Sequence, residues 1–225
     1  MDEIQPLVYA NNLFDMKQTM AGALFAEVTY AWEVLPKIKE FLLKFSRELP
    51  SDFERIGEYI WIGKGTTVEA TALLKGPAII GYDCEIRHGA YIRENVFVGN
   101  GVVIGNSTEL KNVVVFNEAE IPHFNYVGDS VLGYKAHLGA GAIVSNLKLT
   151  KDIIKVTDSG GVSYDTGLKK FGALVGDKAE VGCNAVLNPG TILGRESVVY
   201  SLTTARGIIP ERHILKSDGR IIKRR

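Results

Sequence analysis

Aliphatic residues recur at every sixth position along much of this chain: Ile56, Ile62, Val68, Leu74, Ile80, Ile86, Ile92, Val98, Ile104 and Leu110. Glycine often follows (Gly57, Gly63, Gly81, Gly99, Gly105), and the fourth place on is small or β-branched: Thr66, Ala72, Ala78, Cys84, Ala90, Val96, Val102, Thr108. After a slip of phase the rhythm resumes at Val115, Ile121 and Val127, and after another at Leu132, Leu138 and Val144. It returns as Val175, Val181, Leu187, Leu193 and Val199. A period of six fits neither the 3.6 of a helix nor the alternation of an ordinary strand, and an internal repeat constrains architecture before any other signal.

The physical reading is a chain that lays down a short strand, turns and repeats. One aliphatic side chain per hexad points into a narrow core, and a small neighbour fills the corner. Glycine after the aliphatic residue adopts turn conformations that a Cβ penalises. Stacked coils then pair strand on strand at about 4.8 Å. The pattern resembles the hexapeptide-repeat family, which implies an all-β solenoid, a left-handed parallel β-helix with three hexads per coil, over roughly residues 56–205 and within a domain at 51–210. Ahead of it, residues 13–48 space their apolar residues in threes and fours with a break at Pro36, predicting a helical cap (1–50) on the open end of the solenoid. Beyond it, residues 211–225 contain Asp-Gly between two apolar runs, a hairpin signal ahead of the basic tail.

Composition narrows the function. Lys+Arg and Asp+Glu both total 26, so no bulk charge draws the chain to nucleic acid or to a membrane surface. Two cysteines, Cys84 and Cys183, form neither a disulfide framework nor a metal motif. The first residues are acidic and lack a clean apolar run, and the most apolar stretch is too short to span a bilayer. The expectation is a cytoplasmic protein.

Two places break the rhythm. One is "IPHFNYVGDS" at 121–130, where His, Asn and Tyr occupy hexad positions. The other is the 31-residue step from Val144 to Val175, which places an inserted loop at 146–172; a loop of that length in a compact repeat is usually functional. Together with "YIR", "GNSTELKN", "LGAGAIVSN" and "KKFGALVGD", these residues resemble the acetyltransferase domain of the bifunctional bacterial enzymes that make UDP-N-acetylglucosamine. That family carries a His-x-x-Tyr-x-Gly-Asp motif, here His123, Tyr126, Gly128 and Asp129.

The resemblance implies His123 as catalytic base, Arg93 and Lys111 as cations for a sugar phosphate, and Tyr126 as a further phosphate or sugar contact. It implies Asn146 as the residue that positions sugar and acetyl group, Lys170 as a lysine of the active-site loop, and Cys183 and Ser201 as contacts along acetyl-CoA, the co-substrate. It also implies a homotrimer with sites between chains. Two residues depart from the pattern: His137 stands where the family has asparagine, and Leu147 follows Asn146 where the family has tyrosine. Both leave the identity of the sugar open. Residues 1–55 show nothing like the Gly-rich nucleotide loop of the uridylyl-transferring domain, so that activity is not expected of this chain.

The chemistry stands beside the resemblance. Acetyl transfer from a thioester to a sugar amine needs the amine neutral, and histidine is the natural base at neutral pH. Arg93 and Lys111 lie eighteen residues apart, one whole coil, which stacks them on one face. Glycine-rich turns can aim backbone N–H groups at a developing oxyanion. Two other readings compete. A non-catalytic sugar-nucleotide-binding or assembly module follows if His137 and Leu147 mark a decayed site. A zinc carbonic-anhydrase-like enzyme, which also occurs in this fold, needs three histidines; His88, His123, His137 and His213 are present, but His123 and His137 are fourteen residues apart, not the spacing of such a site.

Overall fold

A computed structural model describes residues 7–158 and 160–225. The chain is a left-handed parallel β-helix of triangular section. On its first face the rungs are Ile60–Gly63, Ala78–Ile80, Val96–Val98, the ends of Glu109–Val115 and Tyr126–Leu132, then Ala173–Val175, Thr191–Leu193 and Ile208–Ile209. The second face runs from Thr67–Val68 through Val103–Asn106 and Glu120–His123 to His213–Leu215. Leu73–Leu74, Tyr91–Ile92, the starts of the two long strands, Ile143–Val144, Val186–Leu187 and Thr204–Ala205 make the third. The aliphatic residues of the hexads meet in a single core along the axis.

The phase slips are corners. Where Leu110 steps to Val115 and Val127 to Leu132, one seven-residue strand serves the third face and then the first. It turns between them at Asn112 (φ 52°) and Asp129 (φ 47°). Asparagine and aspartate enter this left-handed region more readily than other residues with a Cβ, and at these two corners the step between inward residues is five instead of six.

Two boundaries differ from the sequence reading. Ile56 is not a core residue: it is 48% exposed, on a strand (Phe53–Gly57) that pairs antiparallel with Ile60–Gly63 ahead of the parallel stack. At the other end parallel pairing continues past residue 205 to Leu215, after which Ile221–Lys223 folds back antiparallel.

The N-terminal segment also lies elsewhere than on the open end. It runs along the outside of the first face, burying the outward row Ile79, Phe97, Val114, Val131, Leu174 and Ile192 against Phe14, Trp32, Leu35 and Ile38. Backbone bonds tie it down from Asp177 N–H to Leu13 O (3.0 Å) and from Asn117 N–H to Gln18 O (3.0 Å). Phe14 meets Phe116 at 5.2 Å, and Phe41 meets Phe97 at 6.4 Å. That row is apolar on its outer side, and each such side chain covered contributes about 1.5–3 kcal/mol, so a lateral cover buries far more than an end cap. Following a flat sheet, the segment is mostly 3₁₀ turns (Met16–Gln18, Gly22–Phe25, Ala31–Lys37), with one longer α-helix, Ile38–Phe45. The inserted loop forms a hairpin (Lys155–Thr157 with Ser163–Asp165) whose Tyr164 packs edge-on against Tyr30 at 5.6 Å. Among the described residues no helix is long and apolar enough to cross a membrane.

Candidate active site

Four outward residues form a column on the third face: Tyr91, Glu109, Tyr126 and Ile143. Arg93 and Lys111 follow the inward Ile92 and Leu110 at the edge toward the first face, on adjacent coils, with Arg93 N–H donating to Leu110 O (2.8 Å). The guanidinium of Arg93 turns back across the face. Its Nη1 donates to Glu109 Oε1 at 3.0 Å, and it lies 6.0 Å from the centre of the Tyr91 ring. Its Nε is buried without a hydrogen bond among the described residues, 3.9 Å from Glu94 Oε2. Lys111 makes no ion pair among the described residues. A backbone hydrogen bond holds the Glu94 carboxyl below the usual carboxylate range, burial opposes that, and the charges of Arg93, Lys111 and Lys75 add to it.

The same edge carries a second row at a spacing of seventeen: Asn95, Asn112, Asp129 and Asn146. Asn112 Nδ2 donates to Asp129 Oδ1 at 2.9 Å and Asn146 Nδ2 to Asp129 Oδ2 at 2.5 Å. Asn112 Nδ2 also donates to Leu35 O (3.2 Å), which ties the row to the N-terminal cover. Between Tyr126 and Asn146 the backbone is Gly128. A Cβ there would stand 2.7 Å from both Tyr126 Oη and Asn146 Nδ2, so only glycine lets phenol and amide close over the strand. Burial pushes the Tyr126 phenol up, the charges of Asp129 and Glu109 push it further, and Arg93 and Asn146 act against them. Lys170 is exposed and reaches this edge through the bridge between Leu147 and Lys170, beside Phe171 N–H donating to Asn146 O (3.0 Å).

The opposite edge of the third face holds a different column. Corner bonds run from Ser107 N–H to His88 O, Phe124 N–H to Asn106 O, Gly141 N–H to His123 O, Asn184 N–H to Ala140 O and Leu202 N–H to Cys183 O. His123, Cys183 and Ser201 therefore share one edge, with Cys183 two coils and Ser201 three coils beyond His123, about 10 and 14 Å along the axis. His123 is exposed, and its ring has no hydrogen-bond partner among the described residues. Below it, Gly105 has no Cβ because Pro122 passes so close that one would overlap the proline carbonyl.

The break in the hexad is explained mainly by Asn125. It occupies the small-residue corner position, is buried, and donates from Nδ2 to Gly139 O (2.9 Å) and Ala142 O (3.1 Å). Its Oδ1 accepts from His123 N–H at 3.1 Å. A polar side chain thus replaces a methyl in the core and fixes the backbone from which His123 projects.

His137 lies apart from the expected sugar contacts. It is on the second face, with Nδ1 3.0 Å from Glu180 Oε2, because its strand position faces outward there. With Cys183, Ser201 and Tyr200 it lines a groove of about 470 Å³. Within one chain, then, Arg93, Lys111, Tyr126, Asn146 and Lys170 gather at one edge of the third face. His123, Cys183 and Ser201 follow the other. Glu109, Asn112, Asn125 and Asp129 complete the arrangement; all four lie within the motifs quoted from the sequence, which give none of them a role of its own, and the seventeen-residue recurrence of Asn/Asp is a signal for two of them.

A family model described as the GMPPB C-terminal domain matches residues 74–208. The bifunctional protein GlmU of Methanococcus vannielii is 31% identical over 120 residues, 53% of this chain and 28% of that protein. A bifunctional sugar-1-phosphate nucleotidylyltransferase/acetyltransferase of Sulfurisphaera tokodaii is 32% identical over 151 residues, 59% of this chain and 37% of that protein. The chain thus spans about a third of the length of these relatives. Among solved structures, PerB from Caulobacter crescentus, in complex with CoA and GDP-perosamine, aligns with a TM-score of 0.44 at 15% identity over 70% of this chain and 56% of that one.

Proposed function

Because the chain belongs to the GMPPB C-terminal domain family, with a relative named a bifunctional sugar-1-phosphate nucleotidylyltransferase/acetyltransferase, we propose that it transfers an acetyl group from acetyl-CoA to the amine of an amino-sugar 1-phosphate. The observation that carries this reading is the third face itself. Its one edge presents Arg93 and Lys111 beside Tyr126 and Asn146, and its other edge presents the His123 ring, which has no hydrogen-bond partner among the described residues. The sugar phosphate lies against Arg93 and Lys111, a charge-assisted contact. His123 takes a proton from the sugar ammonium and the neutral amine attacks the thioester carbonyl; the nitrogen then loses a second proton to solvent, the C–S bond breaks, and the His123 imidazolium returns its proton to the sulfur, so that CoA leaves as its thiol. Cys183 and Ser201, on the same edge as His123, line the path of the acetyl-CoA arm.

The two edges face opposite sides of a narrow rung, so a complete site forms where the edge of one copy meets that of another; a homotrimer with sites between chains satisfies this. The test is CoA-thiol release from acetyl-CoA with glucosamine 1-phosphate, galactosamine 1-phosphate and UDP-linked amino sugars. Release with an amino-sugar 1-phosphate supports the reading. No release with any of them leaves a non-catalytic binding module as the better account.

A further inference from the structure

The Asn/Asp row on the third-face edge has a direction. A carboxylate only accepts hydrogen bonds, whereas an amide donates from nitrogen and accepts at oxygen. Asp129 therefore dictates how both neighbouring amides are turned. Its Oδ2 takes a hydrogen of Asn146 Nδ2, and its Oδ1 takes one from Asn112 Nδ2. The remaining Nδ2 hydrogen of Asn146 is directed to the Tyr126 side, where the phenol closes over Gly128. Both donors of Asn146 are thus turned toward the protein, and no hydrogen bond among the described residues uses its Oδ1. Asp129 itself is 7% exposed and held by the fold: its backbone is at φ 47°, and its carbonyl accepts from Gly172 N–H at 2.7 Å, where the inserted loop rejoins the solenoid.

We infer that Asp129 is a positioning residue which locks Asn146 with its carbonyl oxygen toward the ligand, so that the acceptor sugar is recognised at this point through a hydrogen-bond donor, its amine or a hydroxyl. The nature of the ligand rests on the acetyltransferase reading above; the orientation of the amide does not. A sugar with a donor at the matching carbon is favoured, and an analogue bearing only a carbonyl there is refused. The same charge contributes to the raised Tyr126 phenol, which gives the arrangement a second readout.

The test compares Asp129→Asn, Asn146→Asp and the exchanged double variant Asp129→Asn/Asn146→Asp. Asparagine is tolerated in the left-handed region, so Asp129→Asn is expected to fold. In the double variant Asn112 donates to the new amide carbonyl at position 129. The nitrogen of that amide donates to the new carboxylate at position 146, and an acceptor again faces the ligand. The expected result is a KM for the amino-sugar phosphate raised tenfold or more in Asp129→Asn and largely recovered in the exchanged variant, with the KM for acetyl-CoA rising less than that for the sugar in each variant. Independently of turnover, the side-chain amide of Asn146, assigned by its loss in Asn146→Asp, should move upfield in the ¹⁵N–¹H spectrum of Asp129→Asn, and the Tyr126 phenol should titrate at lower pH. An unmoved amide resonance and an unmoved phenol overturn the inference, as does an equal loss for both substrates without recovery in the exchanged variant. Absence of turnover in the unaltered protein contradicts the acetyltransferase reading alone, because the two spectroscopic readouts still decide the orientation.

Discussion

Arg93 Nη1 and Glu109 Oε1 stand 3.0 Å apart across the third face, so the cation expected to hold a phosphate is already engaged by a carboxylate. A phosphate arriving there competes with Glu109. The pair is about one-third exposed on each side, and such pairs contribute about 0.2–1 kcal/mol. Glu109→Gln should therefore tighten inorganic phosphate binding by up to about fivefold, measured by calorimetry. Weaker binding would show that Glu109 itself holds the ligand.

Lys111 has no such competitor among the described residues. Lys111→Ala removes a charge-assisted contact of about 1.5–3 kcal/mol, and the KM for the sugar phosphate should rise tenfold or more while that for acetyl-CoA stays put. Arg93→Ala should act in the same direction but less strongly, since part of its charge is spent on Glu109. Equal effects on both substrates would place these residues in the support of the fold.

Asn125 should behave as a structural residue. Asn125→Ala leaves Ala142 O and His123 N–H without their side-chain partner and Gly139 O with the Ala142 N–H alone, and buried unsatisfied groups cost about 1–3 kcal/mol. Thermal unfolding should show a loss of at least about 2 kcal/mol. A variant as stable as the parent would mean that water replaces the amide.

The lateral cover gives a further expectation. Deleting residues 7–50 exposes Ile79, Phe97, Val114, Val131, Leu174 and Ile192 as one continuous stripe, and a patch of that kind promotes aggregation. Light scattering should rise sharply. Phe116→Ala, which removes the ring between Phe14 and Phe25, should cost about 3–5 kcal/mol.

Much of the fold is written in the hexads because the axial core accepts only one aliphatic side chain per rung. Ile62, Ile80 and Ile86 stand where the period puts them. The period alone does not reveal pairing direction, which is why Ile56 continues the rhythm yet lies on an antiparallel strand. Nor does it report what covers the outside: the outward Phe97 and Val114 are apolar on a face that a free solenoid would leave wet, and their partners lie far away in sequence. At the site, Arg93 and Lys111 stack as their separation requires. His137 does not join them, since which of three faces a residue serves depends on the corner count. Asn125 reads in sequence as part of a catalytic motif and proves to be the fastening beneath it.

The most direct measurement is CoA-thiol release by the parent protein and by His123→Ala, with acetyl-CoA and an amino-sugar 1-phosphate, alongside the melting temperature of both. The account predicts turnover in the parent, a kcat lower by about 10²–10⁴ in the variant, and nearly equal melting temperatures, because an exposed ring with no partner has little packing to lose. Intact turnover in His123→Ala, or a variant that unfolds, would contradict it.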